Sequence, residues 1–236
     1  MDPELYLDVR EREGRLYPDH IVARLPFIPE SHALAAEWRA RSASAWRLIR
    51  YLSSKPQPLS ILDFGCGTGW LSNLLSKAGQ SVIGLDQNRY ELKQAARVFL
   101  PNPKLGFLEA NIFSAPFSDA HFDVIILASV LQYFRDVPTL ISVLSSYLKP
   151  QGEIHILDTP LYSDGELNAA ILRSHQYYTS LGFPEMIDHY FHHRLSDFDG
   201  LNPKILYQPK PFVLRLKRWI RQSASPFPWA MIKKTR

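Results

Sequence analysis

The stretch SILDFGCGTGW, Ser60 to Trp70, runs from an apolar β-type segment into three glycines, Gly65, Gly67 and Gly69, set two residues apart. A strand that ends in a tight glycine turn and opens a helix aims backbone N–H groups at a ligand. Glycine is required there because a Cβ would block close approach. A dinucleotide fingerprint, G-x-G-x-x-G, would need glycine at position 70, where the residue is Trp70. A phosphate loop is excluded as well, since no Gly-Lys-Ser/Thr follows. The spacing is instead Asp63-x-Gly65-x-Gly67-x-Gly69, with an acid two residues before the first glycine.

Around this loop the chain alternates. Short apolar strand-like runs lie at Ile61 to Phe64, Ser81 to Asp86, Leu105 to Ala110, Phe122 to Ala128 and Glu153 to Asp158, and helical stretches separate them. Nearly all-apolar strands joined by helices predict a parallel sheet buried on both faces, an α/β doubly wound fold. Ahead of it, SHALAAEWRARSASAWRLIRYL has apolar positions at helical spacing, with Ser31 placed as an N-cap. Residues 1–57 therefore read as an N-terminal helical cap and residues 58–236 as the main domain. The rhythm breaks after Asp158: residues 160–203 hold several aromatics and no clear strand, and read as an insertion or lid. Lys204 to Pro209 is a further expected strand, PFVLRLKRWIRQ a helix, and FPWAMIKK the last strand.

The single cysteine, Cys66, lies inside the glycine loop, which rules out a disulfide framework or a cysteine-based zinc site. The first residues, MDPELYLDVREREGR, lack the basic start and apolar core of a secretory signal, and no apolar run approaches the roughly 20 residues of a membrane span. A cytoplasmic setting is expected. The formal charge of +4 is uneven: from Pro209 onward there are eight basic residues and no acid. The helix Pro211 to Gln222 could lie on a membrane surface, but a covering helix with its basic side in water is the favoured reading. A nucleic-acid partner is not expected, because the basic residues lack the interleaved aromatics of a single-strand platform.

On these residues the chain resembles the class I S-adenosylmethionine-dependent methyltransferases, in particular the broad small-molecule group called type 11. The resemblance rests on the Asp63–Gly69 loop, Asp86 at the end of GLDQN, Asn111 in EANIFSAPF, and the segments FDVIILASVLQYF and LKPQGEIHILD. It implies a mostly parallel seven-stranded sheet, the Rossmann-like methyltransferase fold, with S-adenosylmethionine as cofactor and S-adenosylhomocysteine as product. It also implies a cofactor site made of Asp63, Gly65, Cys66, Gly67, Gly69, Asp86, Gln87, Asn111, Ile112 and Ala128. Asp86 would take the ribose hydroxyls, Asn111 the adenine amino group, Ile112 the adenine ring, and the glycine loop the methionine part. Asn111 stands where the family usually has Asp; its carbonyl oxygen still accepts, without charge.

The cofactor brings an activated methyl, so the protein mainly has to align an acceptor and exclude water. Acceptor pockets form at the C-terminal ends of strands, which directs attention to Gln132, Tyr133, Asp158, Tyr162, His175, Gln176, Tyr177 and Tyr178. Of these, Tyr133 and His175 are the candidate catalytic residues, His175 as a base. His155 inside a strand reads as a core residue. Adjacent His192 and His193 point in different directions and have no third ligand nearby, so no metal site is expected. The function implied is methyl transfer to a small-molecule acceptor. The alternatives are a scaffold that binds the cofactor without turnover and a nicotinamide-dependent oxidoreductase, the latter disfavoured by Trp70.

Overall fold

The computed structural model describes residues 3–56, 58–210 and 224–234. Its centre is a seven-stranded sheet in the order β3-β2-β1-β4-β5-β9-β8. The strands are β1 (Ser60–Phe64), β2 (Ser81–Asp86), β3 (Leu105–Glu109), β4 (Phe122–Ala128), β5 (Leu148–Leu157), β8 (Lys204–Tyr207) and β9 (Trp229–Lys233). All neighbours pair in parallel except β9, which is antiparallel to both β5 and β8. The expected mostly parallel, seven-stranded fold is the observed one.

The strand residues alternate between two apolar layers, as a pleated sheet buried on both faces requires. Leu62, Phe64, Ile125 and Leu127 pack with Leu140, Ile141 and Leu144 of α6 (Val137–Tyr147). Ile61, Val124 and Ile126 face the other way, against Trp38, Leu48 and Leu52 of α3 (Ala35–Ser53) and Leu71 and Leu75 of α4 (Trp70–Lys77). Helix α5 (Arg89–Phe99) is capped by Asn88, whose side chain accepts from Glu91 N. His155 is fully buried in β5. Its Nδ1 accepts from Trp229 Nε1 at 3.0 Å, which leaves Nε2–H facing Glu153 at 3.3 Å.

Several boundaries differ from the sequence reading. Helix α3 begins at Ala35 with Leu34 as its N-cap, and Ser31 does not cap it. The Leu34 N–H is instead taken by His32 Nδ1 at 3.1 Å. Strand β5 starts five residues earlier than its apolar run, because a register shift between Phe122 and Val124 absorbs Lys149–Gly152, with Gln151 at φ 65°. The segment after Asp158 contains α7 (Asp164–Leu181) and a two-stranded sheet of β6 (Leu161–Tyr162) and β7 (His193–Arg194). A capping box between Ser163 and Glu166 starts α7. Helix α1 (Pro3–Arg12) packs against this segment, with Val9 beside Tyr178 and Met186. The expected basic helix Pro211–Gln222 lies outside the described residues.

Leu62, fully buried in the central strand, tests the core directly. Leu62→Ala should lower the unfolding free energy in urea by about 2–5 kcal/mol with the slope unchanged. A loss below about 1 kcal/mol would mean that β1 is not the packed centre.

Candidate active site

The strand order reverses between β1 and β4, the switch point where α/β sheets open a crevice at their C-terminal ends. The glycine loop closes that crevice from the β1 side. Gly65 has φ +70°, and a Cβ there would collide with the Val130 side chain; Gly69 has φ +72°, and a Cβ would lie 2.6 Å from Phe107. Any other residue at either place would push the loop out of position. The loop is tied down by carboxylates. Asp63 Oδ2 accepts from Ser72 Oγ at 2.5 Å, linking β1 to α4. Asp86 accepts from Gly67 N at 2.8 Å and Asn88 N at 2.9 Å. Burial raises the Asp63 pKa to about 6, with Ser72 opposing and the Asp86 charge adding to the rise. Burial likewise pushes up the Cys66 thiol, so Cys66 is a packing residue and not a nucleophile.

Two cavities meet here. The smaller, about 100 Å³, is lined by the glycine loop, Asp63, Ala128 and Glu91, and is roofed by Tyr6 and Arg10 of α1. It has room for a fragment of a ligand and not for a whole nucleoside. The larger, about 1210 Å³, lies beyond it, beneath α1, α3 and α7. Arg10, Arg15, Arg41 and Ser129 line both.

The sequence candidates divide clearly. Gln132, Tyr133, Asp158, Tyr162, Tyr177 and Tyr178 line the larger cavity. Tyr133 is held by Arg10, whose Nη2 donates to its hydroxyl at 2.8 Å. His175 and Gln176 are exposed and line neither cavity. Helix α7 turns Ala170, Arg173, Ser174, Tyr177 and Tyr178 toward the cavity, a stripe at i, i+3, i+4, i+7 and i+8 that leaves positions 175 and 176 outside it. The structure therefore does not place His175 where a base would act. Asp158 accepts from Ser44 Oγ at 2.6 Å and Ser225 Oγ at 3.2 Å, which makes it a tether between α3 and the segment before β9. His192 meets Ser174 Oγ at 2.8 Å, and His193 Nε2 donates to the Leu131 carbonyl at 3.1 Å.

On the nucleoside side, Gln87 and Asn111 are exposed at the ends of β2 and β3. Asn111 Oδ1 already accepts from Phe113 N at 3.0 Å. Ile112 is fully buried in the core, so the expected contact between its side chain and an adenine ring is corrected. The exposed apolar side chain beside Asn111 is Phe113, 47% exposed.

Sequence reasoning missed the charged roof. Glu37 accepts from Arg15 Nη1 at 2.7 Å and Arg41 Nε at 3.0 Å, while Glu13 lies 3.0 Å from Arg10 and 2.9 Å from Arg15. Tyr177 Oη adds a bond to Glu13 at 2.8 Å, joining α7 to the chain of charges. These residues carry no motif, and single charges on helices read as solvated faces.

The comparisons with known proteins agree with this geometry. Residues 62–156 match the family profile described as a methyltransferase domain. This stretch is similar to the class I S-adenosylmethionine-dependent methyltransferases. The 2-phytyl-1,4-naphtoquinone methyltransferase of Trichormus variabilis is 33% identical over 117 residues, covering 47% of this chain and 50% of the relative. The demethylmenaquinone methyltransferase of Lactococcus lactis is 35% identical over 106 residues, covering 43% and 42%. The chain thus spans about half the length of the curated relatives it matches. Among solved structures, the plantazolicin methyltransferase BpumL, in complex with a triazolic desmethylPZN analog and SAH, shares the fold over the whole chain and 92% of its own, with TM-score 0.64 and 21% identity. S-adenosylmethionine is the methyl donor of this methyltransferase family, and the residues present suit it: a glycine cradle, Asp86 at the end of β2, and arginines around the small cavity for the carboxylate of an amino acid.

The charged roof has a pH signature. Burial resists ionisation of Glu37, but the Arg15 and Arg41 hydrogen bonds and charges prevail and take its pKa from 4.5 to about 2. A depressed carboxylate contributes stability that is complete above pH 4.5 and is lost as pH falls toward 2. Glu37→Gln should cost about 1–2 kcal/mol at pH 7, a charge-assisted contribution reduced by partial exposure. In urea titrations that difference should vanish by about pH 2; an undiminished gap there would contradict the assignment.

Proposed function

We propose that the chain transfers a methyl group from S-adenosylmethionine to a small-molecule acceptor held in the larger cavity. The observation that carries this reading is the shared wall: Arg10, Arg15, Arg41 and Ser129 belong to both cavities, which sets a space for an acceptor directly beside the glycine loop. The cofactor supplies a methyl already activated on a sulfonium, and the work left to the chain is alignment and exclusion of water.

The assigned roles follow from position. Gly65, Cys66, Gly67, Gly69 and Ala128 hold the methionine part, with Asp63 bracing the loop. Asp86 takes the ribose, and Gln87, Asn111 and the backbone at Ile112 edge the adenine. Tyr133 is the acceptor-side residue: its oxygen receives the Arg10 bond, which leaves its own proton to donate to the acceptor. His175 has no part in this scheme. Residues 1–57 act as a cap and residues 160–203 as a lid, since α1 and α7 together roof the cavities.

The cavity wall includes Tyr162, Tyr177, Tyr178, Tyr190 and Phe227, a surface for an aromatic or partly apolar molecule. The quinone methyltransferases among the similar proteins support a small acceptor over a polymer. No helix among the described residues is long and apolar enough to cross a membrane, and we place the reaction in the cytoplasm.

Thermal unfolding with S-adenosylhomocysteine, S-adenosylmethionine and NAD in parallel tests the donor. A ligand at 100 times its Kd adds about 2.7 kcal/mol, which should raise Tm by about 5–10 °C for a chain of this size. Both adenosyl ligands should produce that rise, Asp86→Ala should abolish it, and NAD should produce none. A rise with NAD alone, or with no ligand, would overturn the reading.

A further inference from the structure

Glu91 lies in the first turn of α5 and lines the glycine-loop cavity, yet it belongs to neither the loop nor the end of a strand. It is 8% exposed. Its Oε2 has no hydrogen-bond partner among the described residues, although such an atom buried in a protein ordinarily has one. A carboxylate left this way costs stability unless something that arrives later satisfies it.

Its surroundings narrow what that could be. A Cβ built on Gly67 would lie 3.5 Å from Oε2, so the carboxylate reaches across the middle of the glycine loop. Asp86, the expected ribose acceptor, is a like charge acting on it. Both Asp86 oxygens already receive backbone N–H groups, from Gly67 and Asn88, whereas Glu91 Oε2 stands free beside them. From α1, Tyr6 and the Arg10 charge favour its ionised form, and from α3 the Arg41 charge does so more weakly. This carboxylate is therefore held at the wall of the cavity with Oε2 open.

We propose that Glu91 is a second ribose-binding carboxylate, accepting a hydrogen bond from a hydroxyl of the bound adenosyl ligand alongside Asp86. This rests on the methyltransferase reading given above, and Glu91 deepens it by adding a contact from α5. Burial, then the Asp86 charge, raises the Glu91 pKa to about 7, against the pull of Arg10, Tyr6 and Arg41. The ionised form is the stronger acceptor, so affinity should rise as pH rises from 6 to 8.

The test is equilibrium binding by calorimetry of two probes, S-adenosylhomocysteine and 5′-methylthioadenosine, which share the ribose and differ in the amino-acid part. Glu91→Gln and Glu91→Met, each checked for a cooperative thermal transition without ligand, should both weaken the two probes by a similar factor, about tenfold or more. The rise in affinity between pH 6 and 8 should be present in the unaltered chain and flattened in both variants. Unchanged affinity in the variants, or a pH-independent affinity in the unaltered chain, would overturn the proposal. So would a loss confined to S-adenosylhomocysteine, which would put the contact on the amino-acid part. An unaltered chain that binds neither probe would instead overturn the cofactor reading itself, a result that differs from a variant binding as tightly as its parent.

Discussion

At Gly65 the backbone leaves β1 with positive φ, while Val130, arriving from the end of β4, occupies the space a Cβ would need. That one close approach joins the two strands flanking the switch point, and the rest of the site is built outward from it. The Gly65 N–H donates to the Leu85 carbonyl at 2.7 Å, so the turn is also pinned to β2. Asp63 and Asp86 then fix the loop from below and from the side, through Ser72 and the Gly67 N–H. A loop fixed at this many points can present its N–H groups to a ligand without being ordered at the moment of binding, which is where preorganisation gains affinity.

Above this rigid floor the chain places charge. Glu13 and Glu37 alternate with Arg10, Arg15 and Arg41 across α1, α3 and the turn between them. Isolated charges taken out of water would cost several kcal/mol each, and alternation is what makes their partial burial tolerable. Such a network gives little net stability but strong positional preference, because shifting one helix leaves an unpaired charge behind. Arg10 connects this network to Tyr133, and Tyr6 of the same helix lines the smaller cavity together with Glu91. The roof of the larger cavity and the wall of the smaller one thus share one helix.

Much of the sheet and the floor of the site could be read from the sequence, for physical reasons. Parallel strands buried on both faces must be apolar throughout, so β1, β2 and β4 stand out as runs, and only glycine satisfies both the φ and the contact at positions 65 and 69. The roof was hidden for equally physical reasons. Arg10 and Glu37 look like any charged residues on a helix until a distant element pairs with them, and Glu91 reads as an ordinary acid in a first turn. The aromatic cluster of α7 was visible as composition, but the phase of the helix, which selects Tyr177 and Tyr178 and rejects His175, depends on what packs against it. Ile112 failed in the opposite sense, since an apolar residue beside a polar cap can face the ligand or the core with equal propensity.

The division between floor and roof bears on how substrate choice is encoded. Residues 62–156, the span that matches the methyltransferase domain, contain the glycine loop, Asp86 and Tyr133. Most of the wall of the larger cavity comes from outside that span, from α1, α3, α7 and the segment before β9. On the proposed function, altering Tyr162, Tyr177, Tyr190 or Phe227 would change the acceptor without disturbing the seven-stranded sheet or the glycine turn. Arg10 is the exception, because it lines both cavities and pairs with Glu13 in the charged network. Any substitution there changes the walls of both cavities and the seating of α1 together, so this position should resist the drift that the aromatic wall permits.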